Sequence, residues 1–192
     1  MSGASRVVIF IVGLSLAVVA VAWFSLFVFT QTSIPKFPLP VAMTAPGQSP
    51  EYAVVKLFLD RAKIPVKSDP LLEPGDIGDA RSLIIIIGGS GKGLGAAGMD
   101  IEDEVKRARD LLALAKERKM PVIGMHLGGE ARRGPNSQKF IEVVTPSCNF
   151  VIVRSDGNKD GIFTKITQDH KIPLLLIEKT TELNDILAKM FK

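Results

Sequence analysis

Six short apolar runs, at 41–44, 65–67, 83–87, 121–125, 150–153 and 174–177, recur down this chain with helical patterns between most of them. That alternation predicts βαβ units, which force neighbouring strands to run parallel. The runs are nearly continuous in apolar character, and strands of that kind are covered on both faces. The expected fold class is therefore α/β: a doubly wound, mostly parallel sheet, Rossmann-like or flavodoxin-like, behind one N-terminal transmembrane helix.

Residues 7–29 contain no charged side chain and are long enough to cross a bilayer as a helix. The chain then divides into a short tail at 1–6, a transmembrane anchor at 7–29, a Pro-containing linker at 30–38 and an α/β domain at 39–192. Pro35, Pro38 and Pro40 favour an extended spacer. A cleaved signal peptide is the alternative, with a small-residue site at Ala20-Val21-Ala22, but cleavage there leaves the apolar stretch 23–29 as a new terminus. Arg6 precedes the apolar segment and Lys36 is the first charge after it, a slight bias that keeps the tail inside and the domain on the extracytoplasmic side of the cell membrane.

Composition narrows the function classes. The formal net charge is +4 and no basic tract interleaves with aromatic residues, so nucleic acid is not an expected partner. Cys148 is the single cysteine, which excludes an internal disulfide. Outside the cell, nucleotide cofactors are scarce, and no cofactor is expected.

Helix boundaries carry physical signals. Ser49 is the expected N-cap of a helix with Pro50 in its first turn. Asp100 caps the next, with Glu102, Asp103 and Glu104 at its start, Lys116, Arg118 and Lys119 at its end, and Ile101, Val105, Ala108, Leu112 and Ala115 as its buried stripe. Further helices are expected at 137–145, near 160–170, and behind a Thr180-Thr181 cap.

Ligands of such sheets bind where the strands end and the βα loops begin. Those loops hold most of the unusual residues. The first is Gly88-Gly89-Ser90-Gly91-Lys92-Gly93-Leu94-Gly95-Ala96-Ala97-Gly98, between a strand and a helix. Its exposed backbone N–H groups and Lys92 suit an anion, with Gly89, Ser90, Gly91, Lys92 and Gly93 as contacts. Neither nucleotide fingerprint fits. Ile86 stands where a Walker loop needs its first glycine, and Gly93 replaces the magnesium-binding hydroxyl. Gly93, Gly95 and Gly98 spell a dinucleotide motif too far beyond the strand, without the acid that should follow.

The second loop, His126 onward, offers His126 as donor, base or ligand contact, and Arg132 and Arg133 as holders of a carboxylate or phosphate. Asp156-Gly157-Asn158-Lys159-Asp160-Gly161 resembles the start of a calcium loop, but Thr167 replaces the twelfth-position acid, so calcium is disfavoured. Asn158 is a turn former, a cap or a ligand contact. Gln48 and Ser49 complete the candidate set. No metal site is expected, since the only other histidine, His170, belongs to a helix end.

Several strings together resemble an uncharacterised bacterial family of short exported or membrane-anchored α/β proteins, a domain-of-unknown-function family. They are Gly47-Gln48-Ser49-Pro50, Lys92-Gly93-Leu94-Gly95-Ala96-Ala97-Gly98 with Asp100, Gly124-Met125-His126 with Gly128-Gly129-Glu130-Ala131-Arg132-Arg133-Gly134, and Gly157-Asn158 with Asp160-Gly161 and Phe163-Thr164-Lys165-Ile166. The resemblance covers nearly the whole domain and implies an extracytoplasmic location. It supplies no activity and no catalytic residues.

The leading expectation is a membrane-anchored module that binds a small anionic solute at its loop crest and presents it to a membrane partner such as a transporter. The alternative is a cofactor-independent enzyme with His126, Glu130 and Asp156 as acid–base groups. A third class, a structural or interaction protein, makes the glycines packing devices.

Overall fold

Each apolar run becomes a strand in the computed structural model, which describes residues 33–191: β1 (Val41–Thr44), β2 (Val66–Ser68), β3 (Ser82–Ile86), β4 (Val122–His126), β5 (Phe150–Arg154) and β6 (Leu174–Ile177). They form one sheet in the order β2-β1-β3-β4-β5-β6, parallel at every junction. Of the two doubly wound orders, this is the flavodoxin-like one with a sixth strand added. The anchor expected at 7–29 and residues 30–32 of the linker lie outside the described residues. Among the described residues, no helix is long and apolar enough to cross a membrane.

The pleat sends alternate side chains to two cores. Val41, Met43, Ile84, Ile86, Ile123, Met125, Phe150 and Ile152 face one of them, covered by α1 (Glu51–Arg61) and by α6 (Leu183–Phe191). Ala42, Leu83, Ile85, Val122, Val151 and Val153 face the other, under α3 (Ile101–Glu117), α4 (Pro135–Val144) and α5 (Ile162–Asp169). Both faces of the inner strands β1, β3, β4 and β5 are therefore dry, which is why their sequences do not alternate, whereas the edge strands β2 and β6 are partly exposed.

Asp100 caps α3 as expected, its Oδ1 accepting from Glu102 N at 2.7 Å. The buried stripe of α3 differs from expectation: Leu111 rather than Leu112 is fully covered, and Glu104 and Arg107 are buried beside Val105 and Ala108. Two other caps are corrected. The Ser49 hydroxyl makes no cap bond and donates instead to the Glu51 carboxylate. At α6 the capping acceptor is Glu182, whose Oε1 takes Lys179 N at 2.7 Å, and Thr180 and Thr181 form the turn before it.

The glycine stretch is also corrected. It is not an open loop. Ser90 caps a short helix, α2 (Gly91–Ala97), by accepting from Gly93 N at 3.1 Å, and Gly98 ends it in the left-handed region at φ 65°. Buried Leu94 anchors that helix, and tertiary packing overrides the low helix propensity of glycine.

Helices α1, α3 and α5 end alike. Lys63, Lys119 and Lys171 each adopt positive φ, and the next residue's N–H bonds back across the last turn: Ile64 to Leu59 O at 3.0 Å, Met120 to Ala115 O at 2.8 Å, Ile172 to Thr167 O at 2.8 Å. Proline follows each time, at Pro65, Pro121 and Pro173. This is the Schellman arrangement with lysine in the place glycine usually holds. It delivers the chain into β2, β4 and β6 at the amino ends of the strands.

Candidate functional site at the carboxyl-end crest

The winding reverses between β1, which leads to α1 on one face, and β3, which leads to α2 and α3 on the other. A crevice opens at such a reversal. Here the chain fills it. Ser90 N donates to Gly47 O at 2.8 Å and closes the two loops against each other. Gly47 N and Gln48 Nε2 both donate to Glu104 Oε2 at 3.0 Å. Arg107 holds the same carboxylate and also reaches Leu72 O at 2.7 Å and Pro70 O at 2.9 Å. The anionic group gripped by the Gly47–Gln48 turn is thus the protein's own Glu104.

Most crest glycines are there because another atom occupies the place of a side chain. A β-carbon on Gly88 would sit 2.8 Å from Ser49 Oγ, one on Gly89 2.6 Å from the Asn136 backbone, and one on Gly93 2.6 Å from Gln48 O. Such contacts are closer than packed atoms tolerate, so close approach accounts for these three. Gly95 meets nothing within 4 Å. Lys92 lies in the first turn of α2, exposed and without a side-chain hydrogen bond or ion pair among the described residues.

His126 ends β4 and is wholly buried. Its Nδ1 lies 2.9 Å from Ile87 O, so that nitrogen carries the proton and donates. Nε2 is buried and has no hydrogen-bond partner among the described residues. It faces glycine backbone: a β-carbon on Gly157 would stand 3.0 Å from it. Burial holds the imidazole pKa below its ordinary value, with the Ile87 and Gly129 backbone opposing. His126 is therefore a buried side chain sealed beneath Gly157, packed on the Phe163 ring at 5.1 Å between centroids.

The charged residues around it are paired. Arg133 forks onto Asp160 at 2.9 and 2.8 Å, donates to Gly157 O at 2.6 Å and lies over the Phe163 ring. These guanidinium bonds hold the Asp160 carboxyl below its usual pKa. Arg154 forks onto Asp156 at 2.6 Å through each of two nitrogens, with the same effect on Asp156. Glu130 pairs with Lys159. Asn158 is used as a cap: its Oδ1 accepts from Phe163 N at 3.0 Å and its Nδ2 donates to Thr164 Oγ1 at 2.7 Å. His126, Glu130 and Asp156 thus each engage a different partner.

Arg132 is different. Its Nε donates to Glu51 Oε1 at 3.2 Å, while both terminal nitrogens make no hydrogen bond among the described residues, and its side chain is 41% exposed. The side chain crosses Gly128, where a β-carbon would lie 2.0 Å from Arg132 Cγ, and Arg154 crosses the adjoining Gly129 just as closely. Two arginines therefore flank one glycine pair above His126.

Glu51, Glu104, Arg107 and Arg154 were not among the sequence candidates. Glu104 borders the apolar stripe of α3, but Arg107 lies off the expected stripe, and its burial had no local signal. Arg154 is the first charge after an apolar strand, a position that opens onto the crest. Glu51 had none, because only the third dimension brings α1 over the loop after β4.

Two clefts, of about 900 and about 430 Å3, open at the other end of the sheet, at the amino ends of the strands. They share Lys119, Met120 and Pro121.

The all-parallel sheet with its reversal between β1 and β3 defines an α/β protein of flavodoxin-like strand order. Within that class, the chain belongs to the family described as a domain of unknown function (DUF6305), which it matches over residues 39–191. No curated protein matches it. Among solved structures, the crystal structure of the YdjI aldolase from Escherichia coli K12 is similar to it at 13% identity and a TM-score of 0.32, over 81% of this chain. The chain spans 64% of that aldolase's length.

Proposed function

We propose that this is a binding module for a small anionic solute, membrane-anchored through 7–29 with its domain outside the cytoplasm, and that Arg132 is the principal contact on the crest. The observation that carries the reading is the free guanidinium edge of Arg132 beside the Gly128–Gly129 backbone. Planar paired donors suit a carboxylate or phosphate, and the Nη1 of Arg154, which makes no hydrogen bond among the described residues, adds a further donor from the neighbouring glycine. Lys92, unpaired on α2, adds long-range attraction rather than a fixed contact. Arg133, Asn158 and Gln48 support the loops that hold the site. A transporter is the kind of membrane partner to which such a module would present its solute.

The test is thermal unfolding of the full chain in nonionic detergent with inorganic phosphate, dicarboxylates and sulfonates. A ligand at a hundred times its Kd adds about 2.7 kcal/mol. Arg132→Ala should weaken binding about tenfold or more, because charge-assisted bonds are worth roughly 1.5–3 kcal/mol. No stabilisation by any of these anions, or binding untouched by Arg132→Ala, would overturn the reading.

A further inference from the structure

The cleft of about 900 Å3 lies away from the crest, between the second half of α3 and the corner where α4 leads into β5. Arg109, Lys116 and Lys119 stand on its wall against the single acid Glu142. None of the three cations makes a side-chain hydrogen bond or ion pair among the described residues, a state they share with other exposed lysines such as Lys63, Lys67 and Lys171; what sets them apart is that they line one cleft. Helix-end electrostatics accounts for Lys116 and Lys119, at the negative end of α3. It does not account for Arg109, two turns further back, because the helix field fades within its last turn.

Between and beneath these cations Leu112, Met120, Pro121, Val143 and Pro146 form an apolar strip, with Ser147 and Asn149 beside it. The cleft thus combines three cations with an apolar strip. Together these are the complement of a molecule that carries a multiply charged anion on an apolar stem. The volume lies in the range of small-molecule sites. Lysines serve as point charges for a phosphate, and Arg109 supplies the planar donor pair.

We infer that this amino-end cleft is a second ligand site, distinct from the crest, for an amphiphilic phosphate monoester whose phosphate is held by Arg109, Lys116 and Lys119 and whose apolar part covers Leu112, Met120 and Pro146. The adjoining cleft adds Arg81 and Arg118, the latter bonded to Gly78 O at 3.0 Å, together with the acid Asp79.

The experiment is isothermal titration of the full chain in nonionic detergent with three probes: dihexanoyl phosphatidic acid, glycerol 3-phosphate and dihexanoyl phosphatidylcholine. Phosphatidic acid should bind about tenfold more tightly than either of the others, since one lacks the stem and the other the net charge. Arg109→Gln and Lys116→Gln keep exposed aliphatic stems and should each weaken it about tenfold, while Glu142→Gln should tighten it. Arg132→Ala should leave this binding unchanged, so failure of the crest site and failure of this one are told apart. Equal binding of glycerol 3-phosphate would overturn the apolar half of the assignment and point to free phosphates. Equal binding of phosphatidylcholine, or indifference to both glutamine variants, would overturn the site.

Discussion

Arg107 holds the Glu104 carboxylate through two parallel bonds, Nε to Oε1 at 2.7 Å and Nη2 to Oε2 at 2.8 Å, inside the crevice between β1 and β3. Both side chains are almost wholly buried, and the carboxylate also satisfies Gly47 N and Gln48 Nε2. Glu104→Ala leaves a buried guanidinium and two donors without an acceptor. Removing one partner of a buried pair costs about 3–5 kcal/mol, and urea denaturation should read a loss of that size. A change below about 1 kcal/mol, the ordinary worth of an exposed pair, would mean the crevice relaxes around the gap.

Two glycines of the same stretch should respond in opposite directions. Gly89→Ala drives a methyl against the Asn136 backbone and should destabilise by about 1–3 kcal/mol. Gly95→Ala places its methyl in open space on α2 and should stabilise by roughly 0.5–1 kcal/mol. Melting temperatures that shift the same way for both would contradict the packing account of these residues.

The buried imidazole of His126 predicts a pH dependence. Its pKa is lowered in the folded state, so below the unfolded value of about 6.5 the unfolded chain binds more protons than the folded one. Its contribution is complete above that value and is lost as pH falls from there toward the folded pKa. Urea midpoints measured across this interval should therefore decline toward acid, and His126→Phe should flatten the slope.

Calcium should have no specific effect. Asp156 and Asp160, the acids that suggest a calcium loop, are drawn onto Arg154 and Arg133 respectively. Among the described residues, no group of three acids, histidines or cysteines is placed to hold a metal. A calcium-induced rise in melting temperature that Asp156→Ala abolishes would reverse this expectation.

All six strands were legible to within one or two residues, because the inner strands are buried on both faces and so are mostly apolar, and the edge strands β2 and β6 follow the same alternation with helices. The Asp100 cap was legible too, as a local contact between residues two apart. The crest was legible as a place, and less so as a set of contacts. Arg132 and Arg133 are neighbours of the same type, yet one forks onto Asp160 and the other keeps its terminal nitrogens free. Nothing local distinguishes them.

What the sequence determined by itself was therefore governed by short-range rules: which segments are strands, the Asp100 cap, and that parallel connections bring the glycine-rich loops to one edge. The tertiary structure decided which polar groups find each other. Gly47 and Gln48 meet Glu104, Glu51 meets Arg132, and Asn136 occupies the space of a side chain on Gly89, across separations of dozens of residues. A buried charge or donor must be matched wherever the fold places it, and the partner is chosen by strand order and register, which no local pattern encodes.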